Sequence, residues 1–384
     1  MSDTGEIAGR KTQHLEICLD RERYRVETSG TRLEEVHLIH RALPELDADA
    51  VDTTFEFLGH RCAAPIFISS MTGGSREAYR TNKDLAAVAA ELGLPVGMGS
   101  IRILLRKPEV IADFKLKEYA PSIPVFANIG GVQLPQGGHD EIYRLADTLA
   151  VDAIAVHLNP GQELFQPGGD RDFRGILDSI RRFTERSPVP VIVKETGFGI
   201  NPAEVELLRA AGAAYVDIAG AGGTNWVRVE SYRRTAEEVL DEAGREFDAW
   251  GLPTALVLAC LDRTQPGVLA SGGIRTGLDV AKALALGAEA AGIALPFVRA
   301  LKQGGIEEAI RYGRRLEEVL RVATALAGCS TTGDLRHAPL MLARSLRDDA
   351  AALRSALTTA PGQAEPGDVH RRQQTPSRRS LADG

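Results

Sequence analysis

From Ala64 onward the chain keeps to one rhythm: short apolar, β-rich runs alternate with amphipathic helical segments. Strands are expected at Pro65–Ser69, Pro95–Met98, Pro124–Asn128, Asp152–His157, Pro190–Lys194, Ala214–Ala219, Gly267–Ser271 and Ala290–Ala294. Helical stretches such as Asn82–Glu91, Glu141–Leu149, Phe173–Thr184, Pro202–Ala210, Arg233–Asp248 and Thr276–Ala285 lie between them. Asn201 before Pro202 reads as an N-cap with proline at the first helical position. Gly93, Gly212 and Gly287 stand where helices should stop. Eight strands in one unbroken series predict an α/β chain folded as a (β/α)8 TIM barrel over residues 64–345. A doubly wound sheet would show fewer strands and Gly-x-Gly-x-x-Gly after the first. The first turn here is Ser70-Met71-Thr72-Gly73-Gly74 instead.

Around the barrel, residues 1–63 form an N-terminal extension and residues 346–384 a C-terminal helix end and tail. Met1–Thr12 is expected to be mobile, and Glu34–Arg41 has no clean period. The widest spacing, between strands six and seven, holds Thr224-Asn225-Trp226 and the acidic stretch Glu237–Glu246, read as a loop and helix over the mouth. Ile306–Leu326 is amphipathic and should close the barrel. Pro361–Gly384, rich in Pro, Gln, Ser and Arg, is expected to be disordered.

A net charge of -7 argues against a general nucleic-acid binder but allows a local basic pocket for a small anion. No apolar run is long enough to span a bilayer, and Met1–Gln13 has no apolar signal core. Cys18, Cys62, Cys260 and Cys329 are far apart and lack metal-ligand spacing, which suits reduced thiols in a cytoplasmic protein.

In such a barrel the active groups gather at the C-terminal ends of the strands. Strand four ends in His157, Asn159, Gln162 and Glu163, side chains able to bind or move protons and ions. Strand five ends in Lys194, costly after a buried apolar run unless partnered. Three readings stand for it: a salt bridge to Glu195 or Asp217, a Schiff base, or a ligand contact. Ser271-Gly272-Gly273-Ile274-Arg275 after strand seven and Gly292-Ile293-Ala294-Leu295 after strand eight let backbone N–H groups approach a phosphate. Small and polar residues also end the first three strands (Ser69–Gly74, Gly97–Arg102, Asn128–Gln133), leaving room for a flat ring system. Arg10, Lys11 and His14 make a compact basic cluster, which charge pattern alone reads as a solvated tail.

Ser-Ser-Met-Thr-Gly-Gly at 69–74, Ala-Asn-Ile-Gly at 127–130, His-Leu-Asn with Gln-Glu at 157–163, Gly-Asp-Arg-Asp-Phe at 169–173, Val-Lys-Glu-Thr-Gly-Phe-Gly at 193–199, Gly-Gly-Thr-Asn at 222–225 and Ser-Gly-Gly-Ile-Arg at 271–275 resemble the type 2 isopentenyl-diphosphate isomerases. The likeness runs from about Arg10 to about residue 345. It implies an FMN-dependent barrel enzyme interconverting isopentenyl diphosphate and dimethylallyl diphosphate, with NADPH or another reductant keeping the flavin reduced and Mg2+ assisting binding. Homologous barrels of this kind assemble as homotetramers or homo-octamers. Carried over residue by residue, the likeness sets Ser70, Met71, Thr72, Ser100 and Asn128 along the flavin and Lys194 at its N1–O2 edge. Thr224, Gly273, Ile274, Arg275, Ala294 and Leu295 would hold the ribityl phosphate. Arg10, Lys11 and His14 would surround the substrate diphosphate. Ser100, Ile101, Arg102, Asn159 and Gln162 would face the substrate, His157 and Gln162 would relay the proton, and Glu163 would bind Mg2+. One position departs: the family often has Gln where this chain has Ile101, on the expected substrate side.

Two rival readings are weaker. A flavin oxidoreductase of the same barrel type, such as a 2-hydroxy-acid oxidase, would carry a histidine close before Arg275, and none is there. A non-catalytic flavin-binding protein would bind FMN yet exchange no isomers.

Overall fold

The computed structural model describes residues 3–71, 73–233 and 238–359. The chain opens with helix α1 (Asp3–Leu19), so the stretch expected to be mobile is helical from Asp3. A short strand β1 (Val36–Leu38) and a hairpin of β2 (Phe55–Phe57) and β3 (His60–Cys62) complete the extension. The barrel follows: β4 (Ile66–Ile68), α2 (Arg76–Leu92), β5 (Val96–Ser100), β6 (Val125–Gly130) after a run of 3-10 turns, α3 (His139–Thr148), β7 (Ala153–Leu158), α4 (Pro160–Phe165), α5 (Ile176–Arg186), β8 (Val191–Glu195), α6 (Pro202–Ala210) and β9 (Tyr215–Asp217). Then come α7 (Trp226–Arg233), α8 (Glu238–Glu246), α9 (Thr254–Cys260), β10 (Val268–Ala270), α10 (Gly277–Ala285), β11 (Ala290–Ile293) and α11 (Leu295–Leu326). Strand β12 (Leu340–Leu342) and α12 (Arg344–Thr359) end the described chain.

Strands β4 to β11 are the eight barrel strands. They pair in parallel in sequence order, and β9–β10 and β11–β4 contacts complete the closed ring. Their residues are buried almost without interruption, as strands covered on both faces must be. Local signals fix several boundaries. Ser75 accepts the Ala78 N–H at the start of α2, and Gly93 ends that helix in the left-handed conformation at φ 65°. Thr276 and Asp279 form a reciprocal capping box at α10.

The barrel's floor is filled from the extension. Phe57 and Cys62 of the hairpin pack with the inward-facing Phe67, Phe126, Ala155, Ile192 and Leu269. Phe57 stands 4.9 Å from the Tyr215 ring. This plug leaves the C-terminal ends of the strands as the open face.

One further expectation is revised, and two are given finer bounds. Glu34–Arg41 holds β1, which pairs antiparallel with β12 outside the barrel. Of the stretch expected as one helix from Arg233 to Asp248, Arg233 belongs to α7 and Glu238–Glu246 form α8, while residues 234–237 lie outside the described residues. Helix α11 runs from Leu295 and is broken at Gly304–Gly305, where the backbone leaves helical geometry, so the amphipathic stretch expected at Ile306–Leu326 is its second segment. Helix α12 docks on α9, where Arg354 donates to the Ala259 carbonyl. The expected disorder of Pro361–Gly384 lies outside the described residues. All four cysteines are free and buried. Among the described residues no helix is long and apolar enough to cross a membrane.

Candidate active site

Two cavities adjoin at the C-terminal ends of the barrel strands. The first encloses about 980 Å³, counting its open mouth, and the second about 1060 Å³. Gly73, Ser100, His157 and Gln162 line both, so these residues form the wall between them.

The base of the first cavity is a buried ion pair. Register sets Lys194 of β8 directly beside Asp217 of β9. Lys194 Nζ lies 3.6 Å from Asp217 Oδ2 and donates to the Glu195 carbonyl at 2.6 Å. Asp217, wholly buried, also accepts from Ser271 N at 3.0 Å and Ser271 Oγ at 2.9 Å. Of the salt-bridge partners expected for Lys194, Asp217 is the one present. The Glu195 carboxylate instead accepts the backbone N–H groups of Gly197, Phe198 and Gly199. Burial pushes its pKa up, and those N–H donors act against the rise. The hydrogen bonds hold the turn that brings Thr196 and Gly197 to the cavity wall.

At the far end stands the glycine turn after β10. Gly272 and Gly273 have φ of 94° and 78°. A Cβ on Gly272 would lie 1.9 Å from the Gly220 carbonyl oxygen, so no side chain fits. Arg275 closes this end with the start of α11, Ala294 and Leu295. Elsewhere on the wall, Ser70 Oγ is buried beside Gly97 of β5 without a hydrogen-bond partner.

The wall residues are held from behind. His157 Nδ1 lies 2.6 Å from Asn128 Oδ1, which fixes the ring. Gln162 Nε2 donates to Glu230 Oε1 at 3.0 Å, and His14 Nε2 meets the same oxygen at 2.8 Å. Arg233 binds the other oxygen of Glu230. Burial alone would raise the Glu230 pKa, but the His14 hydrogen bond and charge, Arg233 and the Gln162 amide together bring it down to about 2. Trp226 stacks edge-on against His14, ring centroids 5.3 Å apart.

The second cavity is polar, with Arg102, Arg106, Gln133, Asn159, Glu163 and Asp170 among its lining residues. Glu163 is buried and accepts from Asn159 Nδ2 at 3.1 Å and from the Asp170 N–H at 2.9 Å. Asn159 Oδ1 and Gln133 Nε2 are buried without hydrogen-bond partners. Among the described residues no group of three or more His, Cys, Asp or Glu could hold a metal.

Most of the sequence-predicted residues therefore meet at these two cavities. Ser70, Met71, Ser100, Asn128, His157, Gln162, Lys194, Thr224, Gly273, Arg275, Ala294 and Leu295 line the first, and Ser100, Arg102, His157, Asn159, Gln162 and Glu163 the second. Three expectations are corrected. Ile101 does not face the second cavity, because its side chain is fully buried in the apolar core. Ile274 is also a core side chain, so only its backbone is available to the turn. His14 is buried behind Gln162 and lines neither cavity. Thr72 and the side chains of Arg10 and Lys11 lie outside the described residues, although both basic residues fall on α1. Sequence reasoning missed Glu230 and Arg106, and gave no individual role to Gln133 and Asp170, which fall within stretches it singled out. Glu230 gives no local signal, since its partners His14 and Gln162 come from distant parts of the chain.

Residues 168–342 match the family model of FMN-dependent dehydrogenases. Solved structures of mandelate oxidase share the fold. One carrying a monooxide FMN adduct superposes with a TM-score of 0.57 at 22% identity, covering 85% of this chain and 99% of that one. Much nearer in sequence are proteins named isopentenyl-diphosphate delta-isomerase. The one from Nostoc sp. is 45% identical over 78% of this chain and 86% of its own. That from Aeropyrum pernix is 40% identical over 91% and 94%, and that from Thermococcus kodakarensis 39% over 88% and 92%. The chain thus belongs to the isopentenyl-diphosphate delta-isomerase family, in its FMN-dependent second type.

Proposed function

We infer that the protein is an FMN-dependent isomerase that interconverts isopentenyl diphosphate and dimethylallyl diphosphate. The observation that carries this reading is the pair of cavities sharing the wall of Ser100, His157 and Gln162. One cavity has a glycine turn, an arginine and a lysine; the other has arginines and a buried carboxylate. A flavin and a diphosphate ester can then lie on either side of one set of side chains.

The residues fit FMN. The Gly272–Gly273 turn presents backbone at the cavity wall, Arg275 brings charge, and the unpartnered Ser70 Oγ is a polar group awaiting a ligand. In this reading Ser70, Met71, Thr72, Ser100 and Asn128 line the flavin, and Lys194 stabilises negative charge at its N1–O2 edge. Thr224, Gly273, the Ile274 backbone, Arg275, Ala294 and Leu295 hold the ribityl phosphate.

The second cavity fits a diphosphate ester, and Glu163 would hold the Mg2+ that assists its binding. Mg2+ uses one or two carboxylates together with substrate phosphates and water, so a lone Glu163 suffices. The unpartnered Asn159 Oδ1 offers a second hard oxygen. Arg10, Lys11 and Arg102 supply cations. His14 acts through Glu230, keeping Gln162 in place.

Moving the double bond requires protonating an unactivated alkene, which places positive charge on a tertiary carbon. Water must be kept out and a proton donor held close. Reduced FMN supplies the acid and base for this allylic proton transfer. On the protein side, Asn128 orients the His157 ring and the Glu230 carboxylate orients the Gln162 amide, so both can relay or position the proton. Holding the diphosphate still also matters, because it becomes a good leaving group once allylic. The reaction is redox-neutral, so NADPH or another reductant serves only to keep the flavin reduced. We place the enzyme in the cytoplasm, in keeping with its buried free thiols. We take it to be a homotetramer or homo-octamer, with contacts covering exposed apolar side chains such as Leu43, Val322 and Met341.

The test is anaerobic incubation of the reduced, FMN-loaded protein with isopentenyl diphosphate in D2O. Deuterium-labelled dimethylallyl product is expected. Flavin-loaded protein that yields no isomer would leave only the flavin-binding reading.

A further inference from the structure

The segment 26–31 runs across the phosphate end of the first cavity. Val26 O accepts the Asn225 N–H at 2.7 Å, and Thr31 O accepts the Ala255 N–H at 3.0 Å. Glu27 bridges to Thr224 in antiparallel fashion. Thr31 packs so closely on the glycine turns that a Cβ on Gly273 would lie 2.2 Å from Thr31 Cγ2, and one on Gly222 2.5 Å from it.

Glu27 sits at the centre of this crossing. One of its oxygens binds Arg275 and the other binds Arg299. Arg299 is buried and donates a further hydrogen bond to the Cys18 carbonyl at 2.9 Å, in the last turn of α1. A continuous chain of contacts therefore runs from Arg275 on the cavity wall through Glu27 and Arg299 to the end of α1. The same helix, through His14, reaches Glu230 and Gln162 at the dividing wall. Arg21 also reaches the second oxygen of Glu27, at 3.4 Å, so one carboxylate serves three guanidiniums, the four groups stay net positive, and an anion in front of Arg275 is still attracted. A guanidinium has donors on more than one edge, and the carboxylate behind Arg275 does not exclude a phosphate before it.

We propose that Glu27 is a positioning residue that couples the anion-binding turn at Arg275 to the docked N-terminal helix, so that a bound phosphate and the helix stabilise one another. This rests on the flavin reading above, with the ribityl phosphate as the anion. Glu27 holds Arg275 in the geometry the phosphate needs, and the phosphate draws Arg275 and the segment behind it into one fixed arrangement. By reciprocity, whatever loosens the segment weakens phosphate binding by the same factor.

The test compares riboflavin, which lacks the phosphate, with FMN. Amide hydrogen exchange over residues 14–31 is measured on the full chain stripped of flavin, then with each flavin at saturation. FMN should slow exchange there about tenfold, the usual order of such coupling, and riboflavin should leave it as in the stripped chain. In Glu27→Gln, FMN affinity should fall about tenfold, riboflavin affinity should hold, and the FMN-dependent protection should vanish. Equal protection by both flavins, or none by either, overturns the coupling. So does a Glu27→Gln protein that binds FMN as tightly as the parent or more tightly, because Glu27 would then merely compete for Arg275. Should that variant fail to fold, the two-flavin comparison on the parent chain decides alone. A parent chain that takes up no FMN overturns the flavin reading and this proposal with it, and absorbance tells that case apart.

Discussion

Replacing Lys194 tests the base of the flavin cavity most directly. Its ammonium and the Asp217 carboxylate are both buried and 3.6 Å apart. At an effective dielectric of about 20, that separation corresponds to an attraction of about 5 kcal/mol, offset in part by the cost of desolvating both groups. Lys194→Met keeps the bulk and removes the charge. Asp217 would keep its Ser271 and Ala219 donors but lose its counter-charge. We expect about 3 kcal/mol of lost stability in the flavin-free protein at neutral pH, as for a buried pair broken on one side. Asp217→Asn should cost a similar amount, about 2–3 kcal/mol, by stranding the lysine. Since neutralising both partners removes the stranded charge, the double variant should be more stable than the sum of the single losses predicts, by about 2 kcal/mol. Urea unfolding of the four proteins measures the cycle. Losses that add to within about 0.5 kcal/mol would mean the two groups do not interact, and the pairing argument would fail. Lys194→Ala should also lose or weaken FMN binding, and a fully flavin-loaded variant would count against its role at the flavin.

Two further outcomes are expected. Glu163→Gln should raise the Mg2+ concentration needed for half-maximal isomerisation; an unchanged Mg2+ titration would move the metal elsewhere. Glu230 has its pKa lowered from 4.5 to about 2, so the stability it lends is complete above 4.5 and disappears as the pH falls toward 2. That difference is worth about 3 kcal/mol. Glu230→Gln should therefore be less stable than the parent by about 3 kcal/mol at pH 7 and by about 1 kcal/mol at pH 2.5, by urea unfolding; a gap independent of pH would refute the assignment.

All eight barrel strands were legible because a strand covered on both faces must be apolar along its length, and that run is visible without knowing its neighbours. The glycine turn at Ser271–Arg275 was legible for a similar reason, since a close backbone approach admits only one residue type. Where partners are distant, the sequence was silent. Glu230 looks like any carboxylate on a surface helix until α1 and α4 fold over it. Strand β1 is only three residues long and pairs with residues 340–342, too short for a period to emerge. Ile101 was misread because β5 passes straight into a 3-10 turn at Ile101–Leu105. With three residues per turn, Ile101 and Leu104 share the core-facing side while Arg102 turns out to the cavity.

The hairpin of β2 and β3 has a consequence for traffic. With Phe57, Phe67 and Phe126 stacked in the lower end of the cylinder, no prosthetic group can leave by that route. Loading and unloading share a single upper doorway. A prenyl ester seated there becomes a stopper for its neighbour, and during turnover the coloured cofactor should be retained longer than its own affinity would dictate.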